Sequence, residues 1–323
     1  MNIQLISHFL LFIASFGIIW FFSGILVDVV NKVAKHFQQN GFTVALFVLG
    51  FLTSISEFSV MINSSINNTP QVSAGNLIGA SFVIFLFIIP FLATAGNGIT
   101  LKNTLRRHQL FIALGIILLP VFFLFDGTVT KAEGVIAILS YIVLLYFIKR
   151  SPPTIETVAE ELEEELIHKK KHIWFDFLKI IVGAGAVFLA GNILVKESVY
   201  IADMLSIPSS IIGLLVLSLG TNVPEVVIAI QSIKRGSNTI AFGNYVGSAI
   251  TNTLVFGILA ITQSPFFVDK TEFIITTILM NIGFVLFFIF AQSKRTISRI
   301  EGIILLLVYV LFIGLQLTTF FIN

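Results

Sequence analysis

The chain has 323 residues, of which 56% are hydrophobic and 11% charged, with 34 phenylalanines and a mean hydropathy of +1.01. A soluble domain of this length does not carry that composition. The net charge of +2 gives no reason for a nucleic-acid partner, and the absence of cysteine removes thiolate metal sites and disulfides.

A helix needs about 20 apolar residues to cross the hydrocarbon core. The N-terminus lacks a basic n-region, and its apolar run to Val27 exceeds a signal-peptide core, which predicts a first membrane helix rather than a cleaved leader. In chain order, apolar segments of suitable length lie at 6–28, 43–66, 72–96, 109–125, 133–148, 173–195, 208–232, 239–263, 272–292 and 300–321. Turn chemistry separates several of them, at Asn67-Asn68-Thr69-Pro70, Asp126-Gly127 and Ser206-Ile207-Pro208. The expectation is an all-α polytopic membrane protein of ten helices, with the lipid bilayer as its surroundings. Residues 1–148 hold five helices, 149–172 form a polar linker, and 173–323 hold the other five. Within the linker, Ile155–Lys171 reads as a short helix. Its consecutive acids suit a solvated face rather than a calcium cage.

Basic residues assign the orientation. Loops after odd-numbered helices hold Lys32, Lys35, Lys102, Arg106, Arg107, Lys149, Arg150, Lys169, Lys170, Lys171, Lys234, Arg235, Lys294, Arg295 and Arg299. Loops after even-numbered helices hold only Lys131, Lys196 and Lys270. This places both termini outside and the linker in the cytoplasm of a cell bounded by that membrane. Lys179 and Asp28 lie near helix ends, where snorkelling accounts for them.

The chain also repeats itself. At an offset of 168 residues, Ile25-Leu26-Val27 matches Ile193-Leu194-Val195, Thr53 matches Thr221, Glu57 matches Glu225, and Gly75, Asn76 and Gly79 match Gly243, Asn244 and Gly247. Five helices per copy is an odd number, so the copies run in opposite directions across the membrane. Inverted repeats of this kind hold ion sites at their interface in secondary transporters.

Glu57 and Glu225 are each the sole charge in their apolar segments. An intramembrane carboxylate is costly and is a functional candidate by default; its alternative is a structural partner for a neighbouring hydroxyl. Thr53 precedes Glu57 by four residues, as Thr221 precedes Glu225, which places each pair on one helix face. Asn244, Ser248 and Asn252 form a polar stripe at four-residue steps. The glycine pairs form small-xxx-small surfaces that admit a neighbouring helix. Pro224 cannot donate a backbone hydrogen bond, which frees a carbonyl in the turn before Glu225. Two carboxylates near one another in a low-dielectric bundle need neutralising, by one divalent ion or by two monovalent ions or protons. Calcium takes six to eight oxygens, which Glu57, Glu225, Thr53, Thr221, Ser248 and Asn252 can supply, with Ser54, Asn76, Asn222 and Asn244 as weaker candidates. The chain has no H-E-x-x-H helix for an intramembrane metalloprotease and no P-loop for an ATP-driven pump.

Two stretches carry a family resemblance. Gly220-Thr221-Asn222-Val223-Pro224-Glu225 follows the form Gly-Thr-Ser-x-Pro-Glu, and Gly243-Asn244-Tyr245-Val246-Gly247-Ser248-Ala249-Ile250-Thr251-Asn252 follows Gly-Asn-x-x-Gly-Ser-x-x-x-Asn. They resemble the calcium/cation antiporter superfamily in its sodium/calcium exchanger branch. The resemblance implies transport of Ca2+ against Na+ or H+ with no cofactor, Glu57 and Glu225 as the principal calcium ligands, and Thr53 and Thr221 helping through their backbones. It places Ser248 and Asn252 in surrounding sodium or proton sites. The first copy departs from the pattern: Ser56 stands for Pro, and Ala80 and Ile84 stand where the second copy has Ser248 and Asn252. That loss of oxygens argues for fewer coupling sodium ions, for proton coupling, or for a member that binds a cation without coupled transport or exchanges another cation.

Overall fold

The computed structural model describes residues 3–35, 46–47, 50–96, 98–101, 104–150, 173–235 and 238–322, so the linker helix expected at 155–171 lies outside the described residues. The chain is helical almost throughout. It begins with α1 (Ile3–Lys35), the short α2 (Gly50–Thr53), α3 (Ile55–Ile66) and α4 (Pro70–Val83), which continues through a π-helical turn at Ile84–Ile88 into α5 (Ile89–Ala95). Strand β1 (Ile99–Thr100), α6 (Arg107–Phe123), β2 (Thr128–Val129) and α7 (Lys131–Arg150) complete the first half.

The second half starts with α8 (Ile173–Leu205), α9 (Ser209–Ile212), a π-helical turn at Gly213–Leu217, and α10 (Ser218–Thr221). It continues with α11 (Val223–Arg235), α12 (Asn238–Gln263), β3 (Phe266–Phe267), α13 (Lys270–Gln292), β4 (Thr296–Ile297) and α14 (Arg299–Ile322). Breaker residues act where their chemistry dictates. Pro70 opens α4 at its first turn, where its missing N–H costs nothing. Gly127 carries a φ of +84° in the turn before β2, a conformation open to glycine without strain.

Among the described residues, six helices are long and apolar enough to cross a membrane, or seven if Ser209–Thr221 and Val223–Ile230, bent by 41°, form one span. The apolar stretches Ile6–Phe22 and Arg107–Phe123 are shorter, and the segment expected at 43–66 is interrupted. Two of the long helices are central: 83% of the apolar window in Pro70–Ala95 and 78% of that in Ala241–Gln263 is buried. Lys131–Ile148 and Arg299–Thr318 lie at the periphery, with 22% and 28% buried. Their outward faces carry side chains such as Leu139, Phe147, Leu307 and Val310, as a lipid-facing surface requires.

Contacts between the halves recur in exchanged pairs at the 168-residue offset. A methyl group at Gly79 would land on the carbonyl of Leu214, and one at Gly247 on the carbonyl of Leu46; Leu46 and Leu214 are themselves equivalent. These glycines let α4 meet the π-helical turn before α10, and let α12 meet the equivalent segment before α2, at backbone distance. Helices α1 and α8, also equivalent, pack against each other. Strand β1 pairs antiparallel with β4, and β2 with β3, so each small sheet takes one strand from each half.

Candidate functional site

Two helix breaks, one between α2 and α3 and the other between α10 and α11, place the site. Thr53 and Glu57 were expected on one helix face, as were Thr221 and Glu225, with the second helix broken near Pro224. The structure has a turn at Ser54 (φ −77°, ψ 6°), inside the first pair, and another at Asn222 (φ −88°, ψ 9°), two residues before Pro224. The cause is local and common to both copies. Ser54 Oγ donates to Gly50 O at 2.9 Å, and Asn222 Nδ2 donates to Ser218 O at 2.6 Å. Each takes a carbonyl four residues back that the helical ladder would use. In the second copy Pro224 adds a missing backbone donor; in the first, Ser54 breaks the helix without a proline.

Both carboxylates are fully buried, as are Thr53, Ser54, Ser56, Asn76, Thr221, Asn222, Asn244, Ser248 and Asn252 to within 2%. Threonines and asparagines cross between the copies. Thr53 Oγ1 donates to Asn244 Oδ1 at 3.4 Å, and its equivalent, Thr221 Oγ1, donates to Asn76 Oδ1 at 3.2 Å. The side chain of Thr221 also approaches Glu57, and that of Thr53 approaches Glu225. The two glutamates lie close enough to act on one another electrostatically. The structure thus brings Thr53, Ser54, Glu57, Asn76, Thr221, Glu225, Asn244 and Ser248 together from both halves, while the Asn222 side chain bonds back to Ser218 O and Asn252 bonds to Ser81.

Each carboxylate has one hydroxyl donor, and the donors differ. Ser248 Oγ donates to Glu225 Oε1 at 3.1 Å and lies 3.2 Å from Ser54 Oγ. Ser56 Oγ donates to Glu57 Oε2 at 2.8 Å. The other oxygens, Glu57 Oε1 and Glu225 Oε2, have no hydrogen-bond partner, nor do Asn222 Oδ1 and Asn252 Oδ1. Buried acceptors without a partner are unusual for a folded protein, and the two carboxylate oxygens could hold a cation; the amide nitrogens of Asn76 and Asn244 are unpartnered as well. Among the described residues no three His, Cys, Asp or Glu side chains gather to hold a metal. The cluster offers instead two carboxylates and a shell of neutral oxygens, a hard donor set suited to Ca2+ or Na+ rather than to a soft transition metal.

Two participants escape sequence reasoning. Tyr245 OH donates to the backbone carbonyl of Glu225 at 3.2 Å; its only signal is one tyrosine beside Asn244 of the polar stripe. Ser56 was visible as a departure from the Pro-Glu pattern, but nothing in the sequence shows where its hydroxyl points. Ala80 and Ile84 are buried and apolar at the positions equivalent to Ser248 and Asn252. Beside Ala80, Ser81 Oγ accepts a hydrogen bond from Asn252 Nδ2 at 3.4 Å.

Comparison with known proteins agrees with this architecture. The model of the family described as sodium/calcium exchanger protein matches residues 7–149 and 175–318, two segments whose starts are 175 − 7 = 168 residues apart. An uncharacterized membrane protein of Methanocaldococcus jannaschii is 26% identical over 96% of this chain and 97% of its own. The sodium/calcium exchanger MaX1 of Methanosarcina acetivorans is 30% identical over 43% of this chain and 39% of its own length. The putative antiporter CaxA of Alkalimonas amylolytica is 25% identical over 90% and 91%. A solved structure of the sodium-calcium exchanger NCX_Mj, soaked with 10 mM Na+ and 10 mM Sr2+, superposes with a TM-score of 0.66 at 22% identity, covering 97% of this chain and 99% of that one. Its form soaked with zero Na+ and Ca2+ gives 0.63 at 21%. With the family matched along both halves of a polytopic helical membrane protein, the chain belongs to the sodium/calcium exchanger family of cation antiporters and is a transporter, not an enzyme.

Proposed function

We propose that this protein exports Ca2+ in exchange for Na+ or H+, as a secondary antiporter whose site is built around Glu57 and Glu225. The observation that carries this reading is the pair of buried carboxylates from equivalent positions, each left with one oxygen that nothing donates to. Thr53, Thr221, Ser248 and Asn252 complete the calcium shell, with Ser54, Asn76, Asn222 and Asn244 behind them. Two negative charges in a low-dielectric bundle are unfavourable unless matched. One Ca2+ matches them, and so do two Na+ or two protons, which makes the site exchange one load for another rather than stand empty. Calcium fits better than magnesium, which holds its waters and demands a strict octahedron.

The reading includes ten membrane spans in two inverted five-helix repeats, residues 1–148 and 173–323, joined by a cytoplasmic linker. Both termini lie outside the plasma membrane, on the count of basic residues. The test is radiolabelled calcium uptake into liposomes under an outward sodium gradient and, separately, an outward proton gradient, with Glu225→Gln as control. Uptake on either gradient that the substitution abolishes supports the reading. Uptake indifferent to the substitution, or none on either gradient, overturns it.

A second reading has its own observation. Ala80 and Ile84 remove two oxygens from the first copy, which favours a member that binds a cation without coupled turnover. In that case Glu225→Gln lowers cation-dependent stability in a protein that shows no flux.

A further inference from the structure

Ser56 stands at the position equivalent to Pro224, one residue before the glutamate. A proline there has no hydroxyl. Ser56 has one, fully buried, and it lies among three oxygens: Glu57 Oε2 at 2.8 Å, Thr53 O at 3.3 Å and Thr221 O at 3.3 Å. Two of these belong to the first copy and one to the second. A hydroxyl has a single proton and two lone pairs, so it cannot donate to all three at once. Three acceptors converging on one small donor, beside an unpartnered Glu57 Oε1, is the arrangement a cation would replace.

Resting on the antiporter reading above, we infer that Ser56 is a cation ligand and a specificity-determining residue of this site. Its hydroxyl supplies, from the chain position next to Glu57, an oxygen on the side where Ala80 and Ile84 supply none. Without a cation the proton of Ser56 points at Glu57 Oε2. With a hard cation seated between Glu57 and Thr221 O, the hydroxyl turns and presents a lone pair. The same atom serves both states without moving the backbone, because rotation about one side-chain bond is enough. The second copy solves the same problem differently, with Ser248 reaching Glu225 from the facing helix α12. The chain has thus moved its hydroxyl donor from the facing helix to the carboxylate's own helix in one copy only.

The experiment measures the cation-dependent shift of the thermal midpoint of the purified full chain, titrated with Ca2+, Sr2+, Na+ and K+, for the wild type, Ser56→Ala, Ser56→Pro, Glu57→Gln and Glu225→Gln. Stabilisation by a ligand reports its affinity without requiring transport. Ser56→Ala is expected to lower the cation-free midpoint, because Glu57 Oε2 loses its donor, and, measured from that midpoint, to weaken the apparent affinity for the stabilising cation about tenfold. Ser56→Pro, which carries the second copy's own residue, is expected to lose as much. Unchanged affinity in Ser56→Ala overturns the assignment even if Ser56→Pro loses binding, since that result locates the effect in the backbone. A shift that Glu57→Gln and Glu225→Gln abolish and Ser56→Ala leaves whole overturns Ser56 alone and keeps the site. A wild-type midpoint that none of the four cations moves overturns both.

Discussion

The half-site around Glu57 and the half-site around Glu225 start from the same plan and end with different partners. Both keep the carboxylate, the threonine before it, the asparagine across the interface and the side chain that breaks the helix by bonding back to its i−4 carbonyl. They differ in where the hydroxyl donor comes from: Ser56, next in the chain to Glu57, or Ser248, from helix α12 for Glu225. The shared features are those that create a buried carboxylate and a bent backbone. The divergent ones change only which element supplies the hydroxyl beside each carboxylate. A duplicated transporter can hold its architecture fixed and vary its coordination one side chain at a time.

The largest expected effect tests whether the half-sites act as one. Glu57→Gln and Glu225→Gln should each reduce calcium flux by roughly hundredfold or more, since each removes a charged ligand; uptake assays in liposomes decide it. If one substitution leaves flux intact, the two carboxylates are independent and the comparison breaks. Next come the interlocking glycines. Gly79→Ala and Gly247→Ala drive a methyl group into the backbone carbonyls of Leu214 and Leu46, and each should destabilise by roughly 3 kcal/mol. Thermal midpoints in detergent should fall by similar amounts for both; a large difference would show that the packing is less symmetric than the contacts imply.

A smaller effect sharpens the asymmetry. The double substitution Ala80→Ser with Ile84→Asn returns to the first copy the residue types of the second. Sodium-driven uptake should gain steepness in its sodium dependence, and an unchanged Hill coefficient would show that the missing oxygens do not limit coupling. The smallest effect lies far from the site. His8 Nδ1 sits 2.6 Å from Glu197 Oε2 and its ring stacks on Tyr200 at 3.8 Å, joining α1 to α8. The positions equivalent to the pair are Asp176 and Val29, and valine cannot reciprocate. With His8 about one-third exposed, His8→Ala should cost about 0.5–1 kcal/mol, measured by thermal unfolding at low and high salt.

Much of this was legible in the sequence because it rests on composition and spacing. Isolated charges in apolar runs declared Glu57 and Glu225, and the four-residue steps of Asn244, Ser248 and Asn252 declared one helix face. The glycine pairs announced close approach, and the nearest neighbours of Gly75, Gly79 and Gly247 turn out to be backbone carbonyls. The break at Ser54 was not legible. Its cause is a serine bonding to Gly50 O, an option every buried serine in a helix has and few take to the point of a turn. The exchange of Thr53 with Asn244 and of Thr221 with Asn76 was equally hidden. It depends on how two distant segments dock, which a single chain's periodicity does not encode. The strands were missed for the same reason: two-residue pairs between loops leave no alternation to read.

Those strands carry a consequence for how the molecule stays whole. Ile99–Thr100 clasps Thr296–Ile297, and Thr128–Val129 clasps Phe266–Phe267, so each half holds the other at two places. Together with Gly79 and Gly247, whose backbone contacts reach into the opposite half, they make the peptide link between the halves redundant for cohesion. Two fragments, 1–150 and 173–323, produced from separate messages in one cell, would be expected to find each other and co-purify as a working pair.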